Sequence, residues 1–237
     1  METSFIEKLT ERGLTVNQFF EILNELPEDQ SSIFKLSQKS YNEYKALYKE
    51  LEYSYQLSSD KKNNQRKGKA LESISCFLLS HSRYFCIYKN IRSSTNEYDI
   101  IVMKSESGEH LHMLDLIDSK FLCECKNHND KVSVTYTGKF YSIVDVIKSK
   151  FGIIFSYNGL SGKSWSDSVG LLKKIYLLRG IVIISIDHND FRRINENNDS
   201  LFLIIKEKIT NLECDTHIQY DIDSLANDIK SGNVTIS

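Results

Sequence analysis

Two short aliphatic runs, FGIIFSY at residues 151–157 and GIVIISID at 180–187, constrain the fold of this chain most. Each has the length and the β-branched content of a buried strand. A helical stretch over about Ser164–Arg179 separates them. A strand, a helix and a second strand in that order predict a parallel pair joined by a right-handed crossover. We therefore expect an α/β protein.

The residues before this pair extend the same alternation. An apolar stripe from Gly68 to about His81 predicts a helix, and three later stretches predict strands. These strands are Tyr84–Tyr88, Tyr98–Met103 and Phe121–Lys126. A further helix is marked by Phe140, Ile143, Val144 and Ile147, and another is expected at Leu201–Ile209. The order predicts a central mixed sheet flanked by helices.

The chain divides by composition into a first helical part and a core. Residues 1–60 carry apolar faces at helical spacing, which predicts an N-terminal helical extension. The polar and basic segment Ser58–Lys69 is interpreted as a hinge or surface loop. The core is expected over residues 66–210, with a C-terminal tail over 211–237. One proline and ten glycines mark no linker, so one compact body is expected.

Charge and cysteine content narrow the class of protein. The formal net charge of -2 supplies no overall attraction to nucleic acid, so any polyanion must be bound locally. Five cysteines without regular spacing argue against a secreted disulfide framework. The first residues lack the apolar core of a signal peptide, and no run approaches membrane-spanning length. We expect a soluble cytoplasmic protein with no membrane partner.

The segment FLCECKNH carries the sharpest chemical signal. Side chains two apart on a strand share a face, so Glu124 and Lys126 project together while Cys123 and Cys125 point the other way. The preceding strand, NEYDIIV, turns Asp99 away from its apolar face. Pairing the two strands is expected to bring both carboxylates within a few ångströms. Such a pair suits Mg²⁺, and a nearby ammonium would polarise the attacking water in phosphodiester hydrolysis.

Four segments together resemble the PD-(D/E)XK nuclease superfamily, in its restriction-endonuclease-like branches. They are KGKALE on a helix, EYDIIV and CECKNH on strands, and FGIIFSYNG after a further helix, within residues 66–160. The resemblance implies that Asp99 is the metal-binding aspartate and that Glu124 and Lys126 are the E-x-K pair. It also implies that Glu72 is the helix glutamate that supports a metal site.

The resemblance implies a nuclease fold and an endonuclease that uses Mg²⁺ or Mn²⁺. DNA is the expected substrate ahead of RNA, in restriction or anti-phage defence. A homodimer is expected because cutting both strands of a duplex commonly uses two symmetric sites. Tyr98 stands where a proline gives the family its name, which is a departure. The candidate substrate-binding residues are Lys67, Lys69, Asn127 and Lys163.

Two other functions stay open. One is a nucleic-acid-binding or regulatory module whose nuclease fold no longer cuts. The other is a divergent P-loop NTPase, since SYNGLSGKSW mimics a phosphate loop before a helix. That motif requires glycine where Tyr157 stands, so Gly159 and Gly162 are interpreted as turn residues, and Lys163 as a residue that contacts a substrate phosphate.

Cysteine and tyrosine residues near the motif have competing interpretations. Cys123, Cys125 and His128, with Cys214 and His217 further along, form a thin candidate for zinc, and buried structural cysteines are favoured. For Tyr136, Tyr141 and Tyr157, core packing is favoured over stacking on bases.

Overall fold

The computed structural model describes residues 5–25, 34–81, 84–92, 97–127, 129–162 and 167–214. Among these residues, five strands form one sheet, in which spatial order follows chain order. The strands are β1 (Phe85–Arg92), β2 (Glu97–Lys104), β3 (Lys120–Lys126), β4 (Phe151–Ser156) and β5 (Val182–Ile186). β1 pairs with β2 and β2 pairs with β3 in antiparallel fashion, whereas β3 pairs with β4 and β4 pairs with β5 in parallel. The predicted mixed α/β sheet is confirmed.

Helices cover both faces of the sheet. They are α1 (Phe5–Glu11), α2 (Val16–Glu25), α3 (Gln38–Gln56), α4 (Lys61–His81), α5 (Glu106–Glu109), α6 (Val134–Val146), α7 (Ser168–Arg179), α8 (His188–Asn197) and α9 (201–214). Apolar residues of α3, α4, α8 and α9 pack in one cluster on one face. Those of α6 and α7 form a second cluster on the other face. Within the described ranges, no helix is both long and apolar enough to cross a membrane.

β4 shows why the aliphatic runs constrain the fold. Every residue of this strand is buried. Ile153 and Phe155 belong to the cluster beneath α3 and α4, and Ile154 belongs to the cluster beneath α6. Alternate side chains of a strand point to opposite faces, so a strand covered by helices on both sides needs an uninterrupted apolar sequence.

The segment predicted as a hinge is instead the start of α4, which corrects the interpretation of Ser58–Lys69. The helix begins at Lys61, seven residues before the stripe at Gly68. Asp60 caps it, because its Oδ1 accepts a hydrogen bond from the backbone N–H of Asn63 at 2.8 Å. The buried apolar residues of α4 begin at Ala70, so apolar periodicity misses the polar first turns of the helix.

α3 and α8, which lie on either side of the strands in the sequence, contact each other in the main core. Tyr44 and Leu51 of α3 are fully buried in the main cluster. The Tyr44 hydroxyl donates a hydrogen bond to the backbone oxygen of Phe191 at 2.8 Å. Phe191 lies on α8, which the sequence did not predict, and which Asp187 and Asp190 begin with a capping box. The first helical part of the chain is therefore built into the main core.

Candidate active site

The two predicted acidic residues lie on neighbouring antiparallel strands. The register of β2 and β3 pairs Ile100 with Cys123. Asp99 precedes Ile100 on β2, and Glu124 follows Cys123 on β3. In an antiparallel pair, this register places Asp99 opposite Glu124. Asp99 Oδ2 accepts a hydrogen bond from the backbone N–H of Cys125 at 3.0 Å, which holds the carboxylate against β3. The structure thus brings the two carboxylates together.

Lys126 completes this cluster. Its ammonium forms an ion pair with Glu124, and the side chains of Lys126 and Glu124 are 23% and 17% exposed. Burial raises the pKa of the Glu124 carboxyl; the Lys126 ammonium opposes this rise, and the charge of Asp99 adds to it. Lys139 on α6 also lowers this pKa. Two carboxylates and two ammonium groups therefore act on one another at one end of β3.

Glu72 lies on the other side of the strand. α4 packs on the face of β3 that carries Cys123, opposite to the face of Glu124. Burial raises the pKa of the Cys125 thiol, and the charges of Asp99 and Glu72 raise it further. The structure therefore places Glu72 near Cys125, at the same end of β3.

The donor set of this cluster fits a hard cation. Asp99 and Glu124 offer carboxylate oxygens, which Mg²⁺ prefers, and Mg²⁺ keeps several waters in its shell. Among the side chains that the structure describes, no three of histidine, cysteine, aspartate and glutamate form a group that could hold a metal ion. Two carboxylates, water and a substrate phosphate would therefore make up the shell.

The predicted substrate-binding residues differ in their surroundings. Lys67 is only 2% exposed, and its ammonium donates a hydrogen bond to Asn129 Oδ1 at 3.0 Å. Lys69 is exposed. Asn127 is half-buried, and its Nδ2 donates to the backbone oxygen of Asn64 at 2.7 Å. Lys67 and Asn127 thus fasten the segment after β3 to α4, while Lys69 faces solvent. The fourth candidate, Lys163, lies outside the described residues.

The cysteines beside the cluster are neutral thiols. Cys123 is buried, and burial raises its pKa well above the ordinary value. Burial also raises the pKa of the Cys125 thiol well above its ordinary value. A thiol must lose its proton to bind zinc, so these surroundings favour structural cysteines. His128 and His217, named above as further zinc candidates, lie outside the described residues.

Tyr136 departs from the prediction of core packing. Its side chain is 40% exposed, and Lys126 Nζ lies 5.3 Å from the centre of its ring. Tyr141, in contrast, packs against the second apolar cluster as predicted. Tyr136 and Lys139 are three residues apart on α6, so they share the face that meets Glu124. The three-residue spacing of Tyr136 and Lys139 is the sequence signal from which a role of α6 at this site could have been predicted.

A second polar cluster that the sequence did not predict lies at the ends of β4 and β5. The Tyr157 hydroxyl donates to Glu52 Oε1 at 3.0 Å, and His188 Nε2 lies 3.0 Å from the same oxygen. The Tyr157 ring stacks on Tyr55 with ring centres 3.8 Å apart. Tyr157 is therefore a packing residue, as predicted. Its partners come from α3 and from the start of α8, which only the fold brings together.

Two glycines of the phosphate-loop-like segment adopt turn conformations. Gly159 and Gly162 have φ values of +67° and +82°, which glycine adopts readily and other residues rarely do. The conformation fits their interpretation as turn residues. Residues 163–166, which complete that motif, lie outside the described ranges.

Comparison of the chain with models of protein families, with curated proteins and with solved structures finds no match. The functional argument therefore depends on the sequence motifs and the geometry of the site.

Proposed function

We propose that this protein is a metal-dependent endonuclease that hydrolyses phosphodiester bonds, with DNA as the preferred substrate. The observation that carries the proposal is the meeting of Asp99, Glu124 and Lys126 at one end of two paired strands. This arrangement agrees with the sequence, in which the order of the motifs resembles that of PD-(D/E)XK nucleases. Restriction or anti-phage defence is the biological role that this resemblance favours.

Each residue of the cluster has a separate task in this proposal. Lys126, held by Glu124, would donate a hydrogen bond to the attacking water or to a phosphate oxygen as negative charge develops. Asp99 keeps its position through the Cys125 N–H. The partial burial of the pair reduces the screening of these charges by solvent. Positioning and electrostatics together are expected to supply most of the rate enhancement.

A divalent cation would bind to the carboxylates of Asp99 and Glu124. Mg²⁺ or Mn²⁺ bound there would supply positive charge next to the scissile phosphate and lower the pKa of a bound water. Glu72 lies at the same end of β3 but on the opposite face of the sheet, so the proposal gives it no part in this metal site. The site is proposed to act in a homodimer, one copy for each strand of a duplex.

Cleavage assays on several substrates test this function. Purified protein is incubated with plasmid, linear duplex, single-stranded DNA and RNA in Mg²⁺, Mn²⁺ or a chelator. We expect cleavage that requires the metal and is strongest on DNA. Binding of nucleic acid without cleavage under any condition would instead support a binding or regulatory module with an inactive nuclease fold.

Variants of the cluster separate metal binding from the chemical step. Glu124→Gln should weaken metal affinity in calorimetry because a charged ligand is lost. Lys126→Ala should keep the metal but lower the single-turnover rate at saturating Mg²⁺ by about 10²- to 10⁴-fold, the usual contribution of such a group. Lys120→Ala is a matched control, since Lys120 is an exposed lysine at the opposite end of the same strand. Wild-type cleavage by Lys126→Ala would refute the catalytic assignment.

A further inference from the structure

We infer that Tyr136 is a stacking platform for an unpaired nucleotide beside the scissile phosphate, so that the enzyme acts on single-stranded or locally unpaired nucleic acid. This inference deepens the proposed function and rests on it. It assigns the substrate class through a residue of α6 that lies outside the carboxylate and lysine cluster.

The position of the ring is the first support. Lys126 Nζ lies 5.3 Å from the centre of the Tyr136 ring, so the ring borders the cluster directly. A phosphate held at Lys126 therefore places its own nucleoside next to this ring. At 40% exposure, the side chain also presents much of its surface to solvent. An aromatic ring in such a place can stack on a base.

The charge around the ring is the second support. Lys139 follows Tyr136 by three residues on α6 and is exposed. The ring thus lies beside two ammonium groups, Lys126 and Lys139, which balance the carboxylates of Asp99 and Glu124 in a chain whose net charge is -2. Ammonium groups next to an aromatic ring are the usual composition of a groove that binds single strands.

Stacking on a side chain distinguishes unpaired bases from bases that are paired in a duplex. In a duplex, each base is already stacked on its neighbours, and a side chain meets only groove edges and the backbone. A base can stack on a tyrosine only where it is unpaired, at an end, in a loop, or after flipping. The side chain therefore favours a substrate with an unpaired nucleotide, and a duplex would be cut only where it is locally opened.

Equilibrium binding in a chelator tests the inference without cleavage. The probes are a short fluorescein-labelled DNA strand and its blunt duplex, followed by fluorescence anisotropy. Tyr136→Ala should weaken binding of the single strand by about 5- to 160-fold, the range for loss of one stacked base. Binding of the duplex should change much less. Tyr136→Phe keeps the ring and should bind the single strand like wild type.

Tyr53 provides a matched control. It is 48% exposed, and the Arg66 guanidinium lies 4.7 Å from its ring centre, so both exposure and cation contact resemble those of Tyr136. Tyr53 lies, however, on α3, which packs on the face of the sheet opposite to Glu124 and Lys126. Tyr53→Ala should therefore leave single-strand affinity unchanged. An equal loss in Tyr53→Ala and Tyr136→Ala would overturn the inference, because any exposed tyrosine would then serve.

Two further outcomes separate this inference from the proposed function. If Tyr136→Ala binds the single strand like wild type and only cleaves more slowly, the ring merely orients Lys126, and the inference is wrong while the nuclease stands. If the single strand binds through Tyr136 but Mg²⁺ elicits no cleavage, the stacking platform stands and the nuclease is refuted. A strand carrying 2-aminopurine, whose fluorescence falls on stacking, should report the contact directly in wild type but not in Tyr136→Ala.

Discussion

The Glu124 carboxyl is largely buried, and burial raises its pKa despite the ion pair with Lys126. Below the ordinary pKa of a carboxyl group, Glu124 is protonated in both the folded and the unfolded chain. As pH rises, the unfolded chain releases this proton first. The free energy of unfolding therefore decreases as pH rises through the raised pKa of the folded protein.

Glutamine does not titrate, so Glu124→Gln should remove this loss of stability. We expect the variant to be more stable than wild type at about pH 7 in a chelator, although its cleavage is impaired. Urea unfolding at several pH values from mildly acidic to neutral measures the difference. A wild-type protein that is the more stable one at neutral pH would show that the Lys126 pair outweighs burial.

Single residues differ in how far sequence alone predicts them. The shared face of Glu124 and Lys126 follows from strand periodicity, which is a local property. The burial of Lys67 does not follow from any local pattern, because its partner Asn129 comes from the segment after β3. Tyr136 was assigned to the core because aromatic residues usually pack there. Its exposure depends on how the first turns of α6 pass Lys126.

Two glycine substitutions, Gly68→Ala on α4 and Gly138→Ala on α6, test the contact between α4 and the segment after β3. A Cβ on Gly68 would lie 2.8 Å from Asn127 Nδ2, whereas the nearest atom to a Cβ on Gly138 is Leu171 at 3.7 Å. Gly138→Ala should therefore stabilise the protein by about 0.5–1 kcal/mol through helix propensity. Gly68→Ala should displace Asn127 from Asn64 and end about 1–2 kcal/mol less stable than Gly138→Ala. Chemical denaturation of both variants measures this, and equal stabilisation would show that the contact carries no energy.

Helices and strands were predictable where a short stretch of sequence carried a clear pattern. Continuous apolar runs predicted β4 and β5, because a strand that helices cover on both faces is apolar throughout. The content of β-branched and aromatic residues predicted the other strands. α8 was missed because its sequence, HNDFRRINEN, is almost wholly polar. Its few apolar residues are buried, and Phe191 faces α3. A short helix with so narrow an apolar stripe is visible only once its partner is known.

At the scale of the whole molecule, the dependence of the sheet on α3 is testable by truncation. Removing residues 1–57 would expose the surface that Tyr44 and Leu51 cover. We expect the shortened chain to lose its cooperative thermal transition in circular dichroism. The full chain with Tyr44→Phe loses only the bond to Phe191 and should stay cooperative, with a loss of about 1–3 kcal/mol. A truncated chain that melts sharply at the wild-type temperature would show that the sheet is self-sufficient.

The strands stand in the sheet in the order in which a ribosome makes them, so each new strand finds its neighbour already synthesised. α3 is the exception, because Tyr44 must wait for Phe191, 147 residues later in the chain. At translation rates of about 5–20 residues per second, that wait lasts roughly 7–30 seconds. During that wait α4 can already pack against α3, but the part of α3 that contacts α8 stays exposed until Phe191 has been made.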